Sequence, residues 1–457
     1  MTENAPDSTP ATPDSTPADA AADAPTAPAP HFETLAIHAG QAPDSDTGAR
    51  ALPIYQTTSF VFPSAKTAAD RFGLAELGPI YTRLTNPTQE AVENRIAALE
   101  GGVAGLLVAS GQSAITLAIL NLAQAGDSIV SSPSLYGGAY SLLKNTLSKL
   151  GVETVFVEDP DDLDSWRAAV RPNTKAFFAE SIPNPRQDIL QIDEVSQIAH
   201  ETGVPLIVDN TIATPYLLRP LEHGADIVVH SATKFLGGHG TAIAGAIVDG
   251  GTFDFAAEPE RFPLLNEPDP AYHGLVYTSL VPDLPPYAIR ARVALLRDLG
   301  PAVAPHSAFL IAQGLETLPL RIERHVENAQ KVAEHLTAQP GVTSVAYAGL
   351  PDSPYHARAE KYLPRGAGSV LGFVLEGGLE AGIAFVDALE LHSHVANIGD
   401  VRSLVIHPAS TTHSQLEAEE QRAAGVEPGF VRLSVGLEHI DDILADLDKG
   451  FAAVAAL

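Results

Sequence analysis

Residues 205–209, Pro-Leu-Ile-Val-Asp, and residues 227–234, Ile-Val-Val-His-Ser-Ala-Thr-Lys, are two short apolar runs, each leading into a charged side chain. Aliphatic, β-branched runs without polar alternation read as strands covered on both faces, the pattern of a parallel sheet with helices on either side. Outward from this pair the pattern repeats. Further runs stand at Gly105–Ala109, Ser128–Ser131, Thr154–Val157, Ala176–Ala179 and Ile243–Val248, and helix-length segments at Gln112–Ala125, Gly138–Leu150 and Ile192–Thr202 lie between several of them. The predicted fold class is therefore α/β with a mostly parallel sheet. Ligands of such sheets bind beyond the carboxyl ends of the strands, so the residues just after each run are where chemistry is sought.

The rest of the 457-residue chain is organised around this sheet. Residues 1–30 are built almost wholly of Ala, Pro, Thr, Asp and Ser and repeat Asp-Ser-Thr-Pro; such a segment cannot bury enough apolar surface to offset its ordering entropy, and is expected to be disordered. Residues 31–95 form an arm outside the sheet, and the sheet domain spans 96–300. A smaller α+β domain is expected over 301–457. There Leu320–Ala338 carries Ile322, Val326, Ala329, Ala333 and Leu336 at helical spacing, with strand-like runs at Val342–Tyr347, Ser369–Leu375 and Val431–Val435. The Pro- and aromatic-rich stretch 251–286 has little periodicity and reads as a long functional loop or a lid.

Composition excludes whole classes of function. The net charge is −29, a field that repels phosphate backbones and anionic lipids, so neither nucleic acid nor a membrane is expected as a partner. The chain has no Cys, which removes disulfides, thiolate nucleophiles and Cys-ligated metals, and its 16 His include no His-Glu-x-x-His, so no metal site is expected. No basic n-region or long apolar run reads as a leader or a membrane span, and the expected location is the cytoplasm.

The chemistry left open must use Lys, His, Tyr, hydroxyls, carboxylates or a cofactor. Lys234 stands after a strand beside Ser231 and Thr233, followed by Gly237-Gly238-His239-Gly240. A lysine there can form an imine with a carbonyl cofactor once its amine is neutral, while the hydroxyls bond phosphate oxygens. An ordinary surface lysine is the competing reading. Asp209 ends a buried run, where a carboxylate is costly unless it is paired with a cation such as a pyridinium nitrogen or caps a helix. Together Lys234 and Asp209 match pyridoxal phosphate. Ser110-Gly111-Gln112-Ser113 opens a helix and can cradle an anion. Tyr136 can stack on a ring or pack in the core, and Arg83 in Tyr81-Thr-Arg83 is an anion partner or a plain surface arginine.

These stretches, with Tyr-Thr-Arg-Leu-Thr-Asn-Pro-Thr at 81–88, His-Pro-Ala-Ser-Thr-Thr-His at 407–413 and Val-Arg-Leu-Ser-Val-Gly-Leu-Glu at 431–438, resemble the Cys/Met-metabolism family of pyridoxal-phosphate enzymes. The resemblance runs from about His31 to the end. It implies the type I, aspartate-aminotransferase-like fold, in homotetramers built from dimers that share active sites. By position it implies that Lys234 is the Schiff-base lysine, Asp209 the partner of the pyridine nitrogen, and Ser231, Thr233, Gly111 and Gln112 the phosphate holders, with Tyr81 and Arg83 reaching in from the neighbouring subunit. Tyr136 would stack on the cofactor and count with Lys234 as catalytic. Asn184 would approach the 3′-oxygen of the ring, while Arg432 and Asn397 would bind substrate. Gln112, Leu135-Tyr-Gly-Gly138, Asn397-Ile-Gly-Asp400 and the 267–277 insertion resemble the O-acetylhomoserine sulfhydrylase subgroup, which implies O-acetyl-L-homoserine and sulfide as substrates and γ-replacement as the reaction. A cystathionine γ-synthase or γ-lyase of the same family is the nearest alternative. A catalytically silent interaction protein is the alternative from another class.

Overall fold

A mostly parallel seven-stranded sheet runs through the first half of the computed structural model, which describes residues 30–184, 186–412 and 425–457. Its strands are β1 (Ala104–Val108), β2 (Ser128–Ser131), β3 (Glu153–Phe156), β4 (Thr174–Glu180), β5 (Leu206–Asp209), β6 (Ile227–His230) and β7 (Gly245–Asp249), in spatial order 1-7-6-5-4-2-3. β2, β3, β4, β5 and β6 pair in parallel, while β7 runs antiparallel to both of its neighbours. Each expected strand of this sheet is present within two residues. Positions 1–29 of the expected disordered segment, and His413 of the 407–413 motif, lie outside the described residues.

Helices cover this sheet for local reasons. Helix Pro87–Glu100 starts where Asn86 accepts the Thr88 N–H and Pro87 supplies a fixed φ, and it stops at Gly101, whose φ of 82° ends the helical path. Gly105 of β1 lets this helix come close, since a Cβ there would stand 2.4 Å from the Glu93 carbonyl. The segment expected to be helical at Gly138–Leu150 begins as an α-helix at Gly137–Ser141 and continues as a wider π-type turn at Leu142–Leu147.

The second sheet comprises β8 (Val342–Ala346), β9 (Val370–Leu375), β10 (Ser393–His394), β11 (Leu404–Ile406) and β12 (Phe430–Ser434), in order 10-11-12-9-8. Both sheets belong to one compact unit, Phe32–Leu457. The helix expected over 320–338 spans Leu318–Thr337, and two more helices, Gly378–Asp387 and Ile440–Ala455, close the layer. The stretch 251–286, expected to be a long functional loop or a lid, has no residue lining the cavity described below. Its aromatics pack with Tyr287 beside the first sheet: Phe253, Phe255 and Phe262 meet at centroid distances of 4.9–5.7 Å, and Phe255 stacks on Tyr287 at 5.8 Å.

The last helix is pinned to the second sheet by one carboxylate. Asp446 accepts the backbone N–H groups of Glu390, Leu391 and His392 and the Nδ1–H of His392, all within 2.9–3.0 Å. Burial pushes its carboxyl up, but these donors outweigh it and hold Asp446 well below the usual carboxylate range. A folded-state pKa below the unfolded one gives stability that is present above about pH 4 and fades as pH falls toward the folded value. Asp446→Ala should therefore lower stability by about 3 kcal/mol at neutral pH, with the gap to the parent narrowing in acid. Urea unfolding of both proteins at pH 7 and pH 3.5 checks this, and a pH-independent gap would refute it.

Candidate active site

Three neighbouring strands deliver their last residues to one cavity. Glu180 of β4 and Asp209 of β5 are register partners, Asp209 pairs with Val229 of β6, and Ser231, Thr233 and Lys234 follow β6 directly. From β1 the chain turns through Ser110, which caps helix Gly111–Leu120 by accepting the Ser113 N–H at 3.1 Å. The enclosed space is about 280 Å³, and its walls include Gly111, Gln112, Tyr136, Asn184, Asp209, Ser231, Thr233, Lys234, Asn397 and Arg432. Ten of the twelve expected site residues thus meet in one place. Ile115, Ile182, Ile212, Ile243 and Ile398 line an apolar flank.

The helix end of the cavity is a cradle only glycine allows. A Cβ on Gly111 would lie 2.7 Å from the Ser231 Cβ, so the helix N-terminus and the lysine-bearing turn touch. The helix then presents free N–H groups to an anion next to two hydroxyls. Thr211 ties this end to Asp209: its Oγ1 accepts the Ser231 N–H at 2.8 Å and donates to the Asp209 carboxylate at 2.5 Å, and its N–H donates to the same oxygen at 3.0 Å. Burial raises the Asp209 carboxyl, while the Thr211 bonds and the neighbouring His230 oppose that shift.

Lys234 donates from Nζ to Asn397 Oδ1 at 2.5 Å. Burial, then the nearby Arg432 cation, lowers the Lys234 pKa, which favours the neutral amine that a nucleophile needs. Arg432 itself donates to the Asn397 carbonyl at 2.9 Å and to Asn184 Oδ1 at 3.2 Å, and burial lowers its pKa to about 10. Its buried Nε has no hydrogen-bond partner among the described residues. A guanidinium with a donor to spare, opposite an amine and an anion cradle, fits an amino-acid carboxylate.

The turn after Lys234 is held from behind. Arg321, buried, donates to the carbonyls of Phe235, Leu236 and Gly314 and to Thr317 Oγ1 at 2.8–3.3 Å, and burial lowers its pKa to about 10. His325 lies edge-on to Phe235 and donates from Nδ1 to the Val435 carbonyl at 2.6 Å; burial pushes it down to about 4.

Two expected residues stand apart. Tyr81 and Arg83 line a separate recess with Thr57, Thr58, Gly300 and Pro305, the Arg83 guanidinium 5.3 Å over the Tyr81 ring. Besides the apolar flank, the cavity holds Glu180 and Thr211, two polar residues absent from the sequence-based site. The signal for Glu180 was available: it ends an apolar strand run and opens Glu-Ser-Ile-Pro-Asn-Pro, as Asp209 ends its own.

The fit to pyridoxal phosphate rests on these contacts: the anion cradle at Gly111, the depressed amine of Lys234, the carboxylate of Asp209 and the spare donor of Arg432. Comparison with known proteins agrees. The Cys/Met metabolism PLP-dependent enzyme family matches residues 33–452. The chain is 56% identical over 426 residues to an O-acetyl-L-homoserine sulfhydrylase of Corynebacterium glutamicum, covering 93% of this chain and 97% of that one. It is 51% identical over 419 residues to a homocysteine synthase of Schizosaccharomyces pombe, covering 91% and 97%. A Campylobacter jejuni crystal structure, described as a candidate O-acetylhomoserine (thiol)-lyase with N′-pyridoxyl-lysine-5′-monophosphate, superposes with a TM-score of 0.89 at 43% identity over 92% of this chain and 99% of that one. With a match of this extent, and with the lysine, the aspartate and the anion cradle in one cavity, the chain belongs to the Cys/Met metabolism family of pyridoxal-phosphate-dependent enzymes.

Proposed function

We propose that the protein makes L-homocysteine and acetate from O-acetyl-L-homoserine and sulfide. The observation that carries this reading is the placement of the Lys234 amine, held by Asn397, beside the spare donor of Arg432. Pyridoxal phosphate, when bound, supplies an electron sink for negative charge at the α-carbon of an amino acid. The protein's part is binding and proton movement. Arg432 would clamp the α-carboxylate, Asn184 holds Arg432 in place, and Tyr136 would lie against the cofactor. Ser231, Thr233, Gly111 and Gln112 would hold the phosphate, and Asp209 would pair with the pyridine nitrogen. Lys234 Nζ takes the proton from Cα and then carries one from Cβ, so that the Cγ–O bond breaks and acetate departs with its electrons. Sulfide sulfur then bonds to Cγ, and Lys234 returns protons to Cβ and Cα.

The subgroup resemblance of Gln112, Leu135-Tyr-Gly-Gly138 and Asn397-Ile-Gly-Asp400 supports sulfide over cysteine or water as the second reactant. Product analysis tests it: incubation of the holoenzyme with O-acetylhomoserine and sulfide should yield homocysteine. Cystathionine formed with cysteine, or a keto acid formed in water, as the main product would overturn the assignment in favour of a synthase or a lyase.

Donor selectivity follows from the carboxylate clamp. Arg432 binds any α-carboxylate, and a pocket distinguishes one methylene by only about 1–3 kcal/mol. The extra Cβ proton transfer required for a γ-leaving group adds a demand that only a homoserine ester uses. O-acetylhomoserine should therefore have a higher kcat/KM than O-acetylserine. Arg432→Ala should lower both by roughly 10²-fold while leaving their ratio nearly unchanged. Steady-state assays of both esters check this, and a preference for O-acetylserine would overturn the substrate.

The assembly in this reading is a homotetramer of dimers, with the 31–95 arm serving the neighbouring site, 96–300 binding cofactor and the C-terminal domain, 301–457, supplying Asn397 and Arg432. Exposed apolar side chains along the arm, Ile54, Tyr55, Val61, Phe72 and Leu77, support burial against a second copy. The proposed location is the cytoplasm; among the described residues no helix is long and apolar enough to cross a membrane.

A further inference from the structure

Glu180 is a buried acid in the cavity to which the reaction above gives no task. Its Oε1 accepts the Tyr136 N–H at 2.7 Å, and its carboxyl also takes the backbone N–H of Asn184. One carboxyl therefore joins the segment that carries Tyr136 to the turn that carries Asn184, which in turn bonds Arg432. The Tyr136 ring is half exposed, and its helix, Gly137–Ser141, has no side-chain cap. Its position depends on backbone tethers: Glu180 at residue 136, and Gln112, whose Nε2 donates to the Gly138 carbonyl at 2.9 Å.

The charge state of this tether follows from its neighbours. Glu180 and Asp209 are partners on adjacent parallel strands, which places their Cα atoms about 5 Å apart. Asp188, on the turn after β4, bonds Ser134 Oγ at 2.8 Å and adds a third carboxyl on this side. The cations that face the cavity, Lys234 and Arg432, bond Asn397 and Asn184. Two carboxylates one strand apart in a low-dielectric site do not both ionise readily. Asp209 is the better anion of the two, because both its Thr211 donors and the neighbouring His230 favour its charged form. Burial first, then the charge of Asp209, push the Glu180 carboxyl well above the usual carboxylate range, against the pull of its two N–H donors.

We propose that Glu180 is a positioning residue that works as a neutral carboxylic acid, fixing the Tyr136 and Asn184 N–H groups through its carbonyl oxygen while leaving Asp209 to carry the negative charge toward the cofactor ring. The inference rests on the reading of Asp209 as the partner of the pyridine nitrogen. It makes glutamine a faithful stand-in for Glu180, because an amide keeps a neutral acceptor at the same reach, whereas alanine releases both loops.

The test compares Glu180→Gln with Glu180→Ala in the holoenzyme. At neutral pH the Gln variant should keep kcat/KM within about threefold of the parent, and the Ala variant should lose roughly 10²-fold with a weaker hold on the cofactor. As rising pH ionises Glu180 the parent should lose activity, and the Gln variant should extend that alkaline limb. Infrared difference spectra at neutral pH should show a protonated-carboxyl C=O band in the parent that the Gln variant lacks. A Gln variant as impaired as the Ala variant would overturn the proposal, and so would an unchanged band. If the Ala variant does not fold, the infrared result on the Gln variant decides alone. Asp209→Asn with an unaltered cofactor spectrum and full activity would remove the Asp209 reading separately, since the Glu180 band does not depend on turnover.

Discussion

Replacing Lys234 with alanine is expected to reduce turnover by at least about 10⁴-fold, because in the proposed mechanism one amine both holds the cofactor and moves each proton of the reaction. The loss should exceed that of any other single substitution in the cavity. Asn397 Oδ1 would lose its donor, but the cradle at Gly111 and Ser231 would stand, so the variant should still take up cofactor without bonding it covalently. In the parent, borohydride reduction followed by peptide mapping should place the pyridoxyl label on the Lys234 peptide. A label on another lysine, or an active alanine variant, would refute the assignment of the nucleophile.

The second large effect is a gain. Tyr81 and Arg83 lie outside the cavity of their own chain, in a recess with Thr57 and Pro305. If Arg83 serves the neighbouring site, Arg83→Ala and Lys234→Ala homodimers are each inactive, yet a mixed dimer holds one site with both residues intact. Random exchange makes half of the dimers mixed, so the mixture should recover about a quarter of the parent activity. Mass spectrometry verifies the exchange. No recovery in a mixture shown to have exchanged would mean that each site is built within one chain.

The first sheet was legible because buried parallel strands announce themselves: Ile207, Val208, Val228 and Val229 are fully buried and continuous in sequence. The second sheet was legible only where its strands are long. β10 and β11 have two and three residues, too few for any periodicity, and they exist because β12 and its neighbours supply partners from far along the chain. The π-type turn at Leu142–Leu147 had no signal either, since its composition suits an ordinary helix. Within the site, residues that follow strands could be read from local pattern, as Lys234 and Asp209 were. Arg432 and Asn397 could not, because tertiary packing alone sets them opposite Lys234, and family resemblance supplied them. Glu180 carried the same mark as Asp209 but fell outside the cofactor pairing that made Asp209 noticeable. Thr211 joins by a hydroxyl bond to its neighbour two residues back, which spacing does not encode.

The way Arg321 and His325 grip the turn after Lys234 bears on how any pH–rate curve of this enzyme is interpreted. Arg321 offers its charge to carbonyl oxygens and stays protonated up to about pH 10, while His325 stays neutral down to about pH 4. Neither changes charge across the range in which activity would be measured, so the mounting of the lysine is electrically silent there. Inflections between those limits then report on groups that face the substrate and cofactor, or on the Glu180 tether, and the Glu180→Gln variant separates the two without any contribution from the lysine's mounting.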